Sequence, residues 1–124
     1  MSFVLLVDDD RDICETTQVL LEDHGHQVIC AANGKEALRL MQQGPRPDLL
    51  VLDLMMPVMS GWELREQMLR DPALATIPTI VISGDTRAVQ RRAELRVEGY
   101  LSKPFELDDL LSQISDVDPP SPAS

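Results

Sequence analysis

The chain has 124 residues, of which 44% are apolar and 3% aromatic. That is the length of one domain, with a core that must come from Leu, Val, Ile, Met and Ala rather than from rings. A formal net charge of −10 excludes passive nucleic-acid binding by this domain, because phosphate backbones call for clustered Lys and Arg.

The first apolar run, Phe3–Val7, is far too short to cross a bilayer and meets Asp8 at once, so neither a membrane span nor a membrane partner is expected. Cys14 and Cys30 lack metal-ligand spacing and read as buried free thiols of a cytoplasmic, reducing compartment. Further apolar runs follow at 27–31, 49–52, 79–82 and, more weakly, 99–101. They are continuous rather than alternating, as expected for strands of a parallel sheet covered on both faces.

Between the runs lie stretches with helical spacing. Ile13, Thr17, Leu20 and Leu21 form a stripe closed by Gly25 in the C′ position. Ala37, Leu38 and Met41 form a second, closed by Gly44 and Pro45. Leu64 and Met68 mark a third, after Gly61 and before Pro72, and Val89 with Ala93 a fourth. Leu107, Leu110, Leu111 and Ile114 keep the cleanest helical period. Five β-then-α units with right-handed crossovers give a doubly wound α/β sheet with five helices on its two faces. Residues 116–124 hold three prolines and no apolar period, and read as a flexible tail or the start of a linker after a domain spanning 1–115.

In such sheets chemistry gathers beyond the carboxyl ends of the strands. Those positions hold Asp8-Asp9-Asp10 after the first run, Asp53 after the third, Ser83-Gly84 after the fourth and Lys103-Pro104 after the fifth. Parallel strands about 5 Å apart would let Asp8 or Asp9 share one ion with Asp53. Carboxylates that close repel unless a cation compensates, and a hard divalent ion with oxygen ligands, Mg²⁺, fits, with Mn²⁺ as a substitute. A metal-bound carboxylate facing a lysine and a hydroxyl suits phosphoryl transfer. Asp53 would be the nucleophile, Lys103 and Ser83 would stabilise the transferring oxygens, and Gly84 would leave room for a donor. Asp10 reads as the cap of the first helix. His24 and His26 read as surface residues of a turn, and Met55, Met56 and Met59 as packing residues. Arg87, Arg91, Arg92 and Arg96 form a basic cluster on the fourth helix, read first as a solvated face and second as a docking face.

Asp8-Asp9, the stretch Asp53-Leu-Met-Met-Pro-Val-Met-Ser-Gly61, Ser83-Gly84 and Lys103-Pro104-Phe105 together resemble the receiver domain of two-component response regulators, chemotaxis regulators among them. The likeness runs over roughly residues 3 to 115 in the family's order and spacing, and the strength lies in the joint pattern. It implies a flavodoxin-like sheet of strand order 2-1-3-4-5. It implies that Asp53 is the phosphoacceptor for a histidine kinase or phosphotransfer protein, with Asp9 a direct metal ligand, Asp8 a ligand directly or through water, and Met55 a ligand through its backbone carbonyl. Ser83 would be the switch hydroxyl, Tyr100 the aromatic that follows it, and Lys103-Pro104 a cis peptide bond. Phosphorylation would change partner binding on the surface of the fourth helix, fifth strand and fifth helix, with only self-catalysed phosphoryl transfer and dephosphorylation as enzymology. The downstream output is left open.

Two rivals carry different chemistry. A haloacid-dehalogenase-like phosphohydrolase would place an Asp two residues after its nucleophile, where Met55 stands. A pseudo-receiver would keep the fold without phosphorylation. The sequence also departs from the family pattern. Arg96 stands near a glycine that often ends the fourth helix, and Gly99 stands where an acid is common. Asp108 and Asp109 lie on the last helix without an arginine, which argues against one known mode of dimerisation.

Overall fold

All five apolar runs are parallel strands in the computed structural model, which describes residues 3–54, 59–84, 97–103 and 105–117. They are β1 (Phe3–Val7), β2 (Gln27–Ala31), β3 (Leu49–Asp53), β4 (Thr79–Ser83) and β5 (Gly99–Ser102). The sheet order is β2-β1-β3-β4-β5, the doubly wound order expected. β3, β4 and β5 each run one residue past the apolar run, so Asp53 and Ser83 are the last residues of their strands rather than the first of the loops. Backbone pairing explains this: Asp53 stands in register with Ile82, and the Leu54 amide still donates to the Ile82 carbonyl at 3.1 Å.

Five helices are described: α1 (Arg11–Asp23), α2 (Gly34–Gln43), α3 (Gly61–Arg70), α4 (Pro72–Ala75) and α5 (Leu107–Val117). Strand alternation sorts the core into two layers. Val4, Leu6, Val28, Leu49, Val51, Ile80 and Ile82 face one side, where Cys14 and Leu21 of α1 and Leu110 and Ile114 of α5 cover them. Leu5, Val7, Leu50 and Leu52 face the other, against Ala37 and Met41 of α2 and Leu64 and Met68 of α3. Helices thus lie on both faces. The single turn α4 was not expected from the sequence. Pro72 opens it rather than merely following α3, because Asp71 ends α3 and also accepts from the Ala73 amide as the next cap. The fourth expected helix, with Val89, Ala93 and the four arginines, lies outside the described residues.

Helix ends follow their local chemistry. The Asp10 side chain accepts from the Asp12 and Ile13 amides and starts α1. Gly25, at φ 93°, ends it, with the Gly25 amide on the Glu22 carbonyl and the His26 amide on that of Leu21, the paired bonds of a Schellman motif. Gly44 closes α2 in an extended conformation instead. Ser60 and Glu63 form a reciprocal capping box at the start of α3. α5 runs to Val117, two residues into the stretch read as tail. His24 is exposed and its Nδ1 lies 2.8 Å from the Leu20 carbonyl, while His26 is half-buried.

Gly99, a departure from the family pattern, has a local reason. Gln113 of α5 reaches over β5, its Nε2 donating to the Tyr100 carbonyl at 2.7 Å, and a Cβ on residue 99 would run into Gln113 Oε1. The small residue makes space for a clamp between the last helix and the edge strand.

Candidate functional site

β1 and β3 are neighbours, so their carboxyl ends deliver Asp8 and Asp53 to one place. Both side chains are buried, at 3% and 2% exposure, which sets them apart from ordinary turn acids. Asp9 is exposed. Ligand oxygens of Asp8, Asp9 and Asp53 all lie within 4.8 Å of one another. Lys103, just past β5, supplies the cation: its Nζ donates to Asp53 Oδ2 at 2.9 Å and to Asp8 Oδ2 at 3.3 Å.

One ammonium serves two acids and leans toward Asp53. Burial pushes the Asp8 carboxyl up, and the negative charge of Asp53 adds to this. The Asp10 amide, 2.9 Å from Asp8 Oδ1, and Lys103 pull it down without cancelling the rise. Burial works against the charged form of Lys103 too, but the hydrogen bond and charge of Asp53, with those of Asp8, raise it above the usual lysine range. Among the described residues three carboxylates gather around one ammonium, an excess of negative charge that invites a divalent cation.

The other expected site residues divide. Ser83, 1% exposed, ends β4 next to the residue paired with Asp53, and its carbonyl accepts from the Lys103 amide at 2.9 Å. Gly84 is exposed, with open space around the position of a Cβ, as a donor's approach would need. Tyr100 is half-buried and packs with Trp62 and Val97 against Leu54 and Val81, a short step from the acids. Met55 and Pro104 lie outside the described residues, and with them the expected carbonyl ligand and cis bond. Cys14 is buried as expected, but Cys30 is only half-buried because β2 is an edge strand. Lys103 also lines a largely apolar recess of about 580 Å³ with Ile13, Leu20, Phe105 and Leu107, between α1 and the start of α5.

Two residues received no structural role from the sequence. Gly61 lies so close under the site that a Cβ there would stand 2.5 Å from the Asp53 carbonyl and 2.7 Å from Leu54 Cα. Backbone cannot yield as a side-chain tip can. Gly61→Ala is therefore expected to shift Asp53 and to lose about 1–3 kcal/mol in urea unfolding. The other is Arg65, 1% exposed within α3. The signal was its spacing: residues 61, 64, 65 and 68 form one buried stripe.

Comparison with known proteins agrees with this arrangement. The chain belongs to the response regulator receiver domain family, whose sequence pattern matches residues 4–115. It is 31% identical over 119 residues to Protein PilH of Pseudomonas aeruginosa, covering 94% of this chain and 98% of that protein. The chemotaxis response regulator CheY4 of Vibrio cholerae superposes with a TM-score of 0.86 at 32% identity, over 94% of this chain and 98% of that one. The response regulator TrrA of Thermotoga maritima, solved in complex with Mg²⁺-BeF, gives 0.83 at 26% identity, over 94% and 99%. The chain spans about half the length of several other curated relatives. Receiver domains are signalling proteins, and among the described residues no helix is long and apolar enough to cross a membrane.

Proposed function

We propose that this domain is a phosphorylation switch in which Asp53 takes a phosphoryl group from the phosphohistidine of a histidine kinase or phosphotransfer protein. The observation that carries the reading is the buried Asp8–Asp53 pair bridged by Lys103, with Asp9 exposed at its edge. An Asp53 carboxylate oxygen attacks phosphorus, the P–O bond forms, and the P–N bond to the imidazole breaks. Lys103 stays beside Asp53 to offset charge on the transferred oxygens, and the Ser83 hydroxyl can donate to one of them.

The donor set is all oxygen, clustered within 4.8 Å and short of positive charge, so it fits a hard divalent ion. Mg²⁺, with Mn²⁺ as a substitute, would be held by Asp9, Asp53 and Asp8, the last directly or through water, with the Met55 carbonyl as a further ligand. When bound it supplies charge neutralisation for the phosphoryl oxygens. Movement of Ser83 toward the new group frees space for Tyr100, and partner affinity changes on the surface that includes β5 and α5. The reading is of a cytoplasmic switch whose chemistry is confined to its own phosphorylation and dephosphorylation. Which output it drives depends on the partner.

Intact mass after incubation with a small acyl phosphate tests this. One phosphoryl group should be gained with Mg²⁺, lost with chelator, and absent in Asp53→Asn. A folded protein that gains nothing from the acyl phosphate or from any phosphohistidine donor would instead be a pseudo-receiver.

A further inference from the structure

Cys14 and Cys30 are not used by the phosphorylation chemistry, yet the fold brings them together under the acidic loop. Cys30 Sγ donates to the Cys14 carbonyl at 3.5 Å, and both side chains belong to the core layer between α1 and the sheet. Cys14 is bonded to the loop that carries Asp8 and Asp9, and Cys30 is next in the chain to a residue that is. The Cys14 amide donates to the Asp10 carbonyl at 3.0 Å, and the Asp10 amide donates to Asp8 Oδ1 at 2.9 Å. Ala31, the residue after Cys30, accepts the Asp8 amide at 3.1 Å.

We propose that Cys14 and Cys30 form a redox-active dithiol that a hydroperoxide closes to an intramolecular disulfide, weakening cation binding at Asp8 and Asp9. Cys30 starts the reaction, being half-buried where Cys14 is buried. Its thiol donates to the Cys14 carbonyl and to Gln18 Oε1, each at 3.5 Å; the neighbouring Cys14 thiol pulls the Cys30 pKa down, while Cys30 and burial push that of Cys14 up. The Cys30 thiolate attacks one peroxide oxygen, the O–O bond breaks, and the remaining oxygen takes a proton and leaves as an alcohol or water. Cys14 sulfur then attacks the sulfenic sulfur, the S–O bond breaks, and the hydroxide leaves as water with the Cys14 proton. Two thiols and one hydroperoxide give one disulfide, one water and one alcohol, or a second water where the oxidant is hydrogen peroxide. A bond of about 2.05 Å between the sulfurs draws α1 toward β2 and displaces the backbone holding Asp8.

The test is hydrogen peroxide on the wild-type chain, followed by intact mass, peptide mapping and thermal unfolding with and without Mg²⁺. The expected product has lost two hydrogens, maps to Cys14–Cys30, returns to the thiols with dithiothreitol, and binds Mg²⁺ about 10-fold more weakly. Cys14→Ala should stop at a sulfenic acid on Cys30 that dimedone traps, and the wild-type mapping stands whether or not that variant folds. A chain that only gains oxygen, forms only intermolecular dimers, or forms the disulfide with unchanged Mg²⁺ response overturns the proposal. The last part rests on the Mg²⁺ reading above: a reduced chain that ignores Mg²⁺ sinks that reading, while the mapped disulfide still tests the dithiol.

Discussion

Lys103→Met should cost the metal-free protein about 2–4 kcal/mol and slow phosphoryl uptake at Asp53 about 100-fold or more. The stability figure is held below that of a wholly buried ion pair because the lysine side chain keeps 27% exposure. Without the ammonium, the Asp8 and Asp53 carboxylates, at 3% and 2% exposure, lose the cation that bridges them. The pH dependence separates this cause from lost packing. The raised Lys103 pKa means its contribution is complete below the unfolded lysine value and disappears as pH rises through the folded one. The Asp8 carboxyl is already raised in the wild type, and losing its cation raises it further. A raised carboxyl binds its proton more tightly in the folded state, so the deficit of Lys103→Met should shrink as pH falls from neutral through that value. Urea unfolding over a pH series, in chelator, reads this directly, and a deficit that stays constant from pH 8 to pH 5 would mean lost packing instead. Mg²⁺ should restore part of the stability by replacing the missing charge.

A comparable loss is expected far from the chemistry. Arg65→Ala should destabilise by about 3–5 kcal/mol, whereas Arg65→Met should stay within about 1–2 kcal/mol of wild type. Arg65 Nη1 donates to Thr79 Oγ1 at 3.1 Å, and that hydroxyl donates to the Ile77 carbonyl at 3.1 Å. The Thr79 amide lies 3.4 Å from both Glu98 carboxylate oxygens, and the Glu98 amide donates to the Thr79 carbonyl at 2.9 Å. The side chain therefore ties α3 to the first residue of β4 and, through it, to the approach to β5. Truncation to alanine removes both the volume and the donor, while methionine keeps the volume in a layer of Leu64, Met68 and Ile77. Chemical denaturation midpoints of the two variants decide the matter. Equal losses would show that the charge and its bonds, rather than the volume, hold this end of the sheet.

Strands were the most legible part of the sequence because a parallel sheet covered on both faces leaves unbroken apolar runs. Their order came from the resemblance, since five similar runs carry no label of who pairs with whom. Asp8, Asp9, Asp53 and Lys103 were legible because the doubly wound fold admits functional groups at one edge. Burial was not: whether Asp53 ends a strand or starts a loop depends on a hydrogen bond to Ile82 from the next residue. Arg65 was overlooked because an arginine in an apolar stripe reads as a surface residue until the depth of the helix is known. α4 was overlooked because Pro72 after a helix signals termination, and only the Asp71 cap turns it into a start. The partly exposed Cys30 follows from an edge position that the apolar run itself does not encode.

β3 is bonded to a strand on each side, and all five of its residues are buried. Its amides should exchange with solvent only through global opening, while the Asp9-Asp10 loop and the edge strand β5 open at lower cost. A charge added to Asp53 therefore meets a backbone that cannot recoil. The displacement has to be discharged sideways, into the Asp9-Asp10 loop and β5, where a second molecule can feel it.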